Sequence, residues 1–289
     1  MVPPVEVPYV PQCSPYYGDD FKAGSDGWIS GYGLADAESD YVRFACLAFP
    51  TTARRARLRW LCDFYQWLFA VDDLLDSPAR LGADPAAVRL VTGQLRGVVD
   101  GVVPPRAYGR AFADLWARII PDLSPPQVDR LAGYVVDYCD GLEFMAVQRA
   151  RRTVPSPAVY AEMRRKESIM YLCMTFVEYA TEHDLTGHLT ELDETRRVFA
   201  DYAIVNQDLL SFRKEHAEGD QLNSIDVHRL AYGVPVQEAL DAVGAGEREL
   251  RQHSEELIAR HTDLMGPCAD GYRHFIAGYM AWTLTSHRY

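Results

Sequence analysis

Apolar positions recur along this chain at the three-to-four-residue step of amphipathic helices, and the runs are cut by proline and glycine. The pattern predicts helices over about 34–49, 53–76, 84–99, 107–118, 125–148, 157–181, 189–216, 225–231, 235–262 and 268–287. Residues 1–27, which open MVPPVEVPYVPQ with four prolines, predict an extended segment. TTARRARLRWLCDFYQWLFAVDDLLD holds no breaker, and VFADYAIVNQDLLSFRKEHAEGD runs unbroken to Gly219. Strand-like alternation is scarce, and GVPVQEAL reads as a helix started by proline. The fold expected is therefore all-α, a single domain over 1–289. Without glycine-rich strand-to-helix turns, a dinucleotide-binding or P-loop architecture is disfavoured.

Composition adds few constraints. The chain has 289 residues, 48% of them hydrophobic, enough for a substantial core. No stretch reaches the roughly 20 apolar residues of a membrane span, so no stable membrane insertion is expected. The formal charge is −12 and the basic residues form no long patch, which argues against nucleic acid as a partner. The N-terminus shows neither a basic region nor an apolar signal core. Cys13, Cys46, Cys62, Cys139, Cys173 and Cys268 form no C-x-x-C pair and read as reduced thiols rather than zinc ligands. A cytoplasmic location is expected, and homodimer formation is left open.

The stretch LFAVDDLLD, residues 68–76, is where chemistry enters. Asp72, Asp73 and Asp76 repel one another on a helix and follow residues that favour burial. Either they mark a solvated helix end, or they share a cation. Asp72 and Asp76 fall on one face, about 6 Å apart along the axis, below Phe69, Leu68 and Tyr65. A second stripe lies in NQDLLSFRKE, where Gln207, Ser211 and Glu215 are spaced i, i+4, i+8. Amide, hydroxyl and carboxylate oxygens suit a hard cation, while polar stripes also commonly face water. Ala203 and Ala200 continue that face and leave room. WTLTSHRY places Arg288 and Tyr289 within reach of phosphate oxygens, unless the terminus simply frays. In YAEMRRKESIMYL, Arg164 or Arg165 could meet an anion or serve as surface charge.

Taken in order, these segments resemble the bacterial class I terpene synthases. QWLFAVDDLLD is similar to that family's DDxxD motif, and QDLLSFRKE to its second metal motif, (N/D)DxxSxxxE, with Lys214 before the glutamate. WTLTSHRY resembles the C-terminal arginine–tyrosine pair, and YAEMRRKESI the segment with the diphosphate-sensing arginine, here Arg164. WISGYGL and FACLAFPTTARRARLRWLCDFYQWLF fit as well, so the resemblance runs from about residue 28 to the last residue. Two positions depart from it. Gln207 stands where the family has Asn or Asp, offering the same carbonyl on a longer stem, and Asn206 points about 100° away. After Arg164 the family often has a small hydroxylated residue and then glycine; this chain has Glu167, Ser168 and Ile169.

The resemblance implies a helical bundle around a central apolar cavity. It implies three Mg2+ ions holding the diphosphate of a linear prenyl diphosphate, farnesyl or geranylgeranyl, between Asp72, Asp76 and the Gln207, Ser211, Glu215 stripe. Arg164, Lys214, Arg288 and Tyr289 would bond the same oxygens, with Ser168 beside them. Ionisation would give a carbocation in a dry pocket, with Phe69, Tyr65, Tyr202 and Trp282 available for cation–π contact. The rivals are a chain-elongating prenyl diphosphate synthase, which resembles a chain with two aspartate-rich motifs where one is found here, and a non-catalytic lipid-binding relative.

Overall fold

The computed structural model describes residues 7–35, 40–75 and 80–286. Among them every regular element is helical: α1 (Asp19–Ser30), α2 (Tyr41–Ala48), α3 (Arg55–Leu75), α4 (Pro85–Val99), α5 (Ala107–Ile119), α6 (Pro125–Arg151), α7 (Pro157–Glu167), α8 (Met170–Thr181), α9 (Asp193–Glu218), α10 (Ser224–Tyr232), α11 (Val236–Arg260), α12 (Thr262–Met265) and α13 (Pro267–Thr283). Short 3-10 turns lie at Ile120–Asp122 and Thr186–His188.

Helix α3 is the axis. It is buried on nearly every side from Arg57 to Phe69, as a helix apolar all round must be, and packs against α1, α2, α5 and α8. Helix α9 lies chiefly against α11, and α13 against α2 and α8. An apolar cluster runs through these helices from Phe21 to Trp282. The α13–α2 crossing is backbone on backbone, because a Cβ on Gly278 would stand 2.2 Å from the Leu47 carbonyl oxygen. Among the described residues no helix is long and apolar enough to cross a membrane.

Three departures from the predicted elements have physical causes. The extended segment expected over 1–27 contains α1, which Gly24 and Gly27 hide from a propensity reading. Tertiary contacts form it: Phe21, Ser25 and Ile29 are buried a turn apart, and Ser25 Oγ donates to Asp63 Oδ1 at 2.6 Å. The helix expected from 34 starts at Tyr41, where Asp40 accepts from the Arg43 amide at 2.9 Å and caps it.

The third departure matters most. The single helix expected over 157–181 is broken between α7 and α8, with Ile169 at φ 55°. A left-handed isoleucine is costly, by about 1–2 kcal/mol, and persists only where its surroundings impose it. Helix α6 does so. A Cβ on Gly141 would meet the Glu167 amide nitrogen at 2.6 Å, so α6 presses its bare backbone against the last turn of α7.

Candidate active site

The break opens onto a cavity between α3, α9 and α13. Helix α3 supplies Tyr65, Leu68, Phe69 and Asp72 to its wall, and α9 supplies Ala203 and Gln207. Arg164, Glu167, Ser168 and Ile169 enter from the α7–α8 break. Polar groups from three elements share this wall with apolar and aromatic residues such as Phe44, Tyr138, Phe275 and Tyr279. Behind Leu68, Tyr138 and Ile169 lies a second, narrow space lined by aromatics including Trp60, Phe64, Trp67 and Phe176.

Asp72 lines the cavity, half-buried, on the last turn of α3. Asp76, Arg288 and Tyr289 lie outside the described residues. On α9, Gln207 lines the cavity and Ala203 lies one turn deeper, while Ala200 is core. Ser211 is buried and donates its hydroxyl hydrogen to the Gln207 carbonyl oxygen at 3.0 Å, which leaves lone pairs on Oγ. Glu215 Oε2 accepts from Asn223 Nδ2 at 2.7 Å. Lys214 is half-buried beside it in sequence.

Of the two arginines, Arg164 faces the cavity, and Arg165 turns aside to Asp201 at 2.6 Å. Arg164 is buried and held on two sides. It pairs with Glu167, and its Nε and Nη2 both donate to Asp208 Oδ1, at 3.3 and 3.1 Å. Asp208 Oδ2 in turn accepts from Tyr160 Oη at 2.9 Å, the Ser224 amide at 3.0 Å and Ser224 Oγ at 2.5 Å. Burial first, then the negative Asp208, pushes the Tyr160 phenol well above the ordinary range and keeps it a donor. Ser168 caps α7 by donating its amide to the Arg164 carbonyl at 2.8 Å, with its hydroxyl turned to the Arg165 carbonyl at 3.4 Å.

The four aromatic candidates separate. Tyr65 and Phe69 line the cavity. Burial raises the Tyr65 phenol, which contacts Cys173 Sγ at 3.2 Å, and Phe69 stacks on Tyr41 with centroids 4.3 Å apart. Tyr202 and Trp282, expected at the wall, stand behind it. The Tyr202 hydroxyl reaches Met280 Sδ at 3.9 Å. The Trp282 indole donates to the Asp40 carbonyl at 2.9 Å, its ring packed behind Phe69 at 5.4 Å. Both rings are committed to α13 packing. Sequence reasoning missed Asp208 and Asn223; Asp208 sits inside the second motif, but its partners are remote in sequence and gave no signal.

The donor set suits a hard divalent cation. Asp72, Gln207, Ser211 and Glu215 offer only oxygen, and the nearby Cys173 thiol is pushed up to about 12 by burial and stays neutral. Among the described residues no three His, Cys, Asp or Glu side chains converge. Such a cation would therefore complete its shell with water and ligand oxygens, as magnesium commonly does.

Fold and site together define an all-helical enzyme that presents oxygen donors over an apolar cavity. Residues 63–251, most of the chain, match the family model described as terpene synthase family 2, C-terminal metal binding, and the chain belongs to that family. It is a terpene synthase with the class I helical fold, and metal binding is part of the family's description. It is 29% identical to the 10-epi-cubebol synthase of Sorangium cellulosum, over 87% of this chain and 82% of that one. It is 25% identical to the 4-epi-cubebol synthase ((2E,6E)-farnesyl diphosphate cyclizing) of Streptosporangium roseum, over 100% and 92%. Among solved structures, T181N cucumene synthase superposes with a TM-score of 0.83 at 24% identity, covering 99% of this chain and all of that one. The germacradien-4-ol synthase of Streptomyces citricolor does so with a TM-score of 0.80 at 22% identity, over 96% and 98%.

Proposed function

We propose that this chain ionises farnesyl diphosphate in the presence of magnesium and cyclises the resulting fifteen-carbon cation, releasing diphosphate. The observation that carries the reading is that Asp72, Arg164 and Gln207, from three elements, line one cavity with aromatic and aliphatic walls. Fifteen carbons, rather than the twenty of geranylgeranyl diphosphate, are supported by the farnesyl substrate in the Streptosporangium relative's name.

In this reading Asp72 and Asp76, with Gln207, Ser211 and Glu215, would hold three Mg2+ ions. The metal would neutralise negative charge on the leaving group. Arg164 adds hydrogen bonds to the diphosphate oxygens, oriented by Asp208 and Glu167, and Lys214, Arg288 and Tyr289 join it. Tyr65 and Phe69 turn ring faces to the migrating positive charge, with Tyr202 and Trp282 as their backing. Ile169, Leu68 and Phe275 exclude water, which would end the reaction as an alcohol. We read the chain as one domain, since the apolar cluster spans α1 to α13. The free thiols suit a reducing cytoplasm.

The test is incubation with magnesium and labelled farnesyl or geranylgeranyl diphosphate. Cyclic hydrocarbon or alcohol with released diphosphate, faster from farnesyl diphosphate, is the expected result. A lengthened diphosphate, or binding without release, overturns the reading.

A further inference from the structure

Asn223 is fully buried at the start of α10, and every polar atom of its side chain is engaged. Its Oδ1 accepts from the Ile225 amide at 3.0 Å, which is an ordinary N-cap. A cap needs only that acceptor. The amide nitrogen goes the other way, donating to the Asp208 carbonyl oxygen at 2.8 Å and to Glu215 Oε2 at 2.7 Å. Asn223 thus spans two turns of α9 and ties the carboxylate of Glu215 to a fixed point on that helix's backbone. The adjacent Ser224 fastens the same point from the side, through its amide and hydroxyl on the Asp208 carboxylate.

We propose that Asn223 is a positioning residue for the cation site: it holds Glu215 in the orientation from which that carboxylate binds metal. The proposal rests on the reading of Glu215 as a metal ligand. A glutamate near the last turns of a helix has three soft torsions, and freezing them on binding costs side-chain entropy. Asn223 imposes that cost at folding. Its bond to Oε2 fixes the plane of the carboxylate. Hydrogen-bond partners of metal ligands act in this way elsewhere, and losing one weakens metal binding by about 10- to 100-fold. Only a side chain with both a cap acceptor and two donors can serve both helices, and among the good N-cap residues asparagine alone has them.

Asn223→Asp separates the two roles. Aspartate caps as well as asparagine, keeps the shape, removes both donated hydrogen bonds and sets a like charge against Glu215. Asn223→Ser keeps a cap acceptor without that charge and is too short to reach Glu215. Calorimetric titration of magnesium plus inorganic diphosphate into the full chain, beside melting curves, reads the effect directly. Asn223→Ser is expected to melt within a few degrees of wild type and Asn223→Asp lower, since its buried carboxylate faces Glu215; both should bind magnesium–diphosphate about 10-fold or more weakly. Their half-saturating magnesium for turnover should rise, with kcat recovering at high metal. In a Glu215→Ala background, Asn223→Ser should add no further loss of affinity, since the two residues act as one. Unchanged magnesium affinity in Asn223→Ser, or a loss that simply adds to that of Glu215→Ala, overturns the proposal. Absence of magnesium-dependent diphosphate binding in wild type instead overturns the reading of the site, and this inference with it.

Discussion

At the scale of single residues, the departure at Gln207 is the sharpest test of the site. Its carbonyl stands one methylene further from the backbone than that of asparagine, with one more rotor to freeze. Gln207→Asn is expected to retain turnover with an altered magnesium dependence. Gln207→Leu removes an oxygen ligand and should raise the half-saturating magnesium about 10-fold or more; a leucine variant with wild-type dependence removes Gln207 from the ligand set. Asp72→Asn should lower turnover by about 100-fold or more at unchanged circular dichroism, and near-normal turnover would return DDLLD to a solvated helix end. Tyr160→Phe tests the support behind Arg164. It deletes a buried hydroxyl that serves Asp208 at 2.9 Å and the Leu222 carbonyl at 3.1 Å, and should cost about 1–3 kcal/mol in denaturant unfolding. The residues legible in the sequence were those whose spacing lies within one helix: Asp72 on α3, and Gln207, Ser211 and Glu215 on α9. Asp208 and Asn223 were not legible as support, because what they do depends on Arg164 and Glu215 reaching them across separate elements.

At the scale of elements, periodicity located most helices, since burial of one face fixes where a helix lies. It failed where tertiary contact overrode local preference. Helix α1 forms despite its glycines, because Asp63 collects Ser25, Arg59 and Arg118 around one buried carboxylate. The α7–α8 break carries no proline or glycine, so nothing local announces it. Its cause is the crossing at Gly141, and that makes a contrast within α6 informative. Gly141→Ala forces a methyl group against the Glu167 backbone and should destabilise by about 1–3 kcal/mol while depressing turnover. Gly133→Ala, on the same helix with nothing within 4 Å of the added methyl, should be neutral or stabilising by about 1 kcal/mol. Equal melting temperatures in the two variants would mean that the crossing imposes nothing.

At the scale of the whole molecule, buried phenols set the alkaline limit of stability. Burial raises Tyr65, Tyr160, Tyr202 and Tyr272, each neutral in the fold. In the unfolded chain they ionise near pH 10. The folded pKa lies above the unfolded one, so this stabilisation is complete below about pH 10 and is lost progressively as pH rises from there through the folded pKa. Melting temperature should hold to about pH 9 and fall beyond about pH 10, with Tyr65, Tyr160, Tyr202 and Tyr272 ionising only as the chain unfolds. A melting temperature unchanged from pH 9 to well above pH 10 would contradict it.

The wall shared by the two cavities has a further consequence. Leu68, Tyr138 and Ile169 divide the aromatic space from the polar one, and Ile169 is placed by a helix crossing rather than by any contact with the diphosphate end. The polar end and the partition thus share α3 and the α7–α8 break but use different side chains there, so one can change without replacing the other. Inheritance would conserve the polar end and let the partition wander, so descendants of one such enzyme would share a starting substrate and diverge in the skeletons they release. Leu68→Ala, which joins the two chambers, should redistribute products at unchanged magnesium dependence, measured by gas chromatography beside a metal titration. A product spectrum that stays fixed would mean that the second chamber never meets the chain being folded.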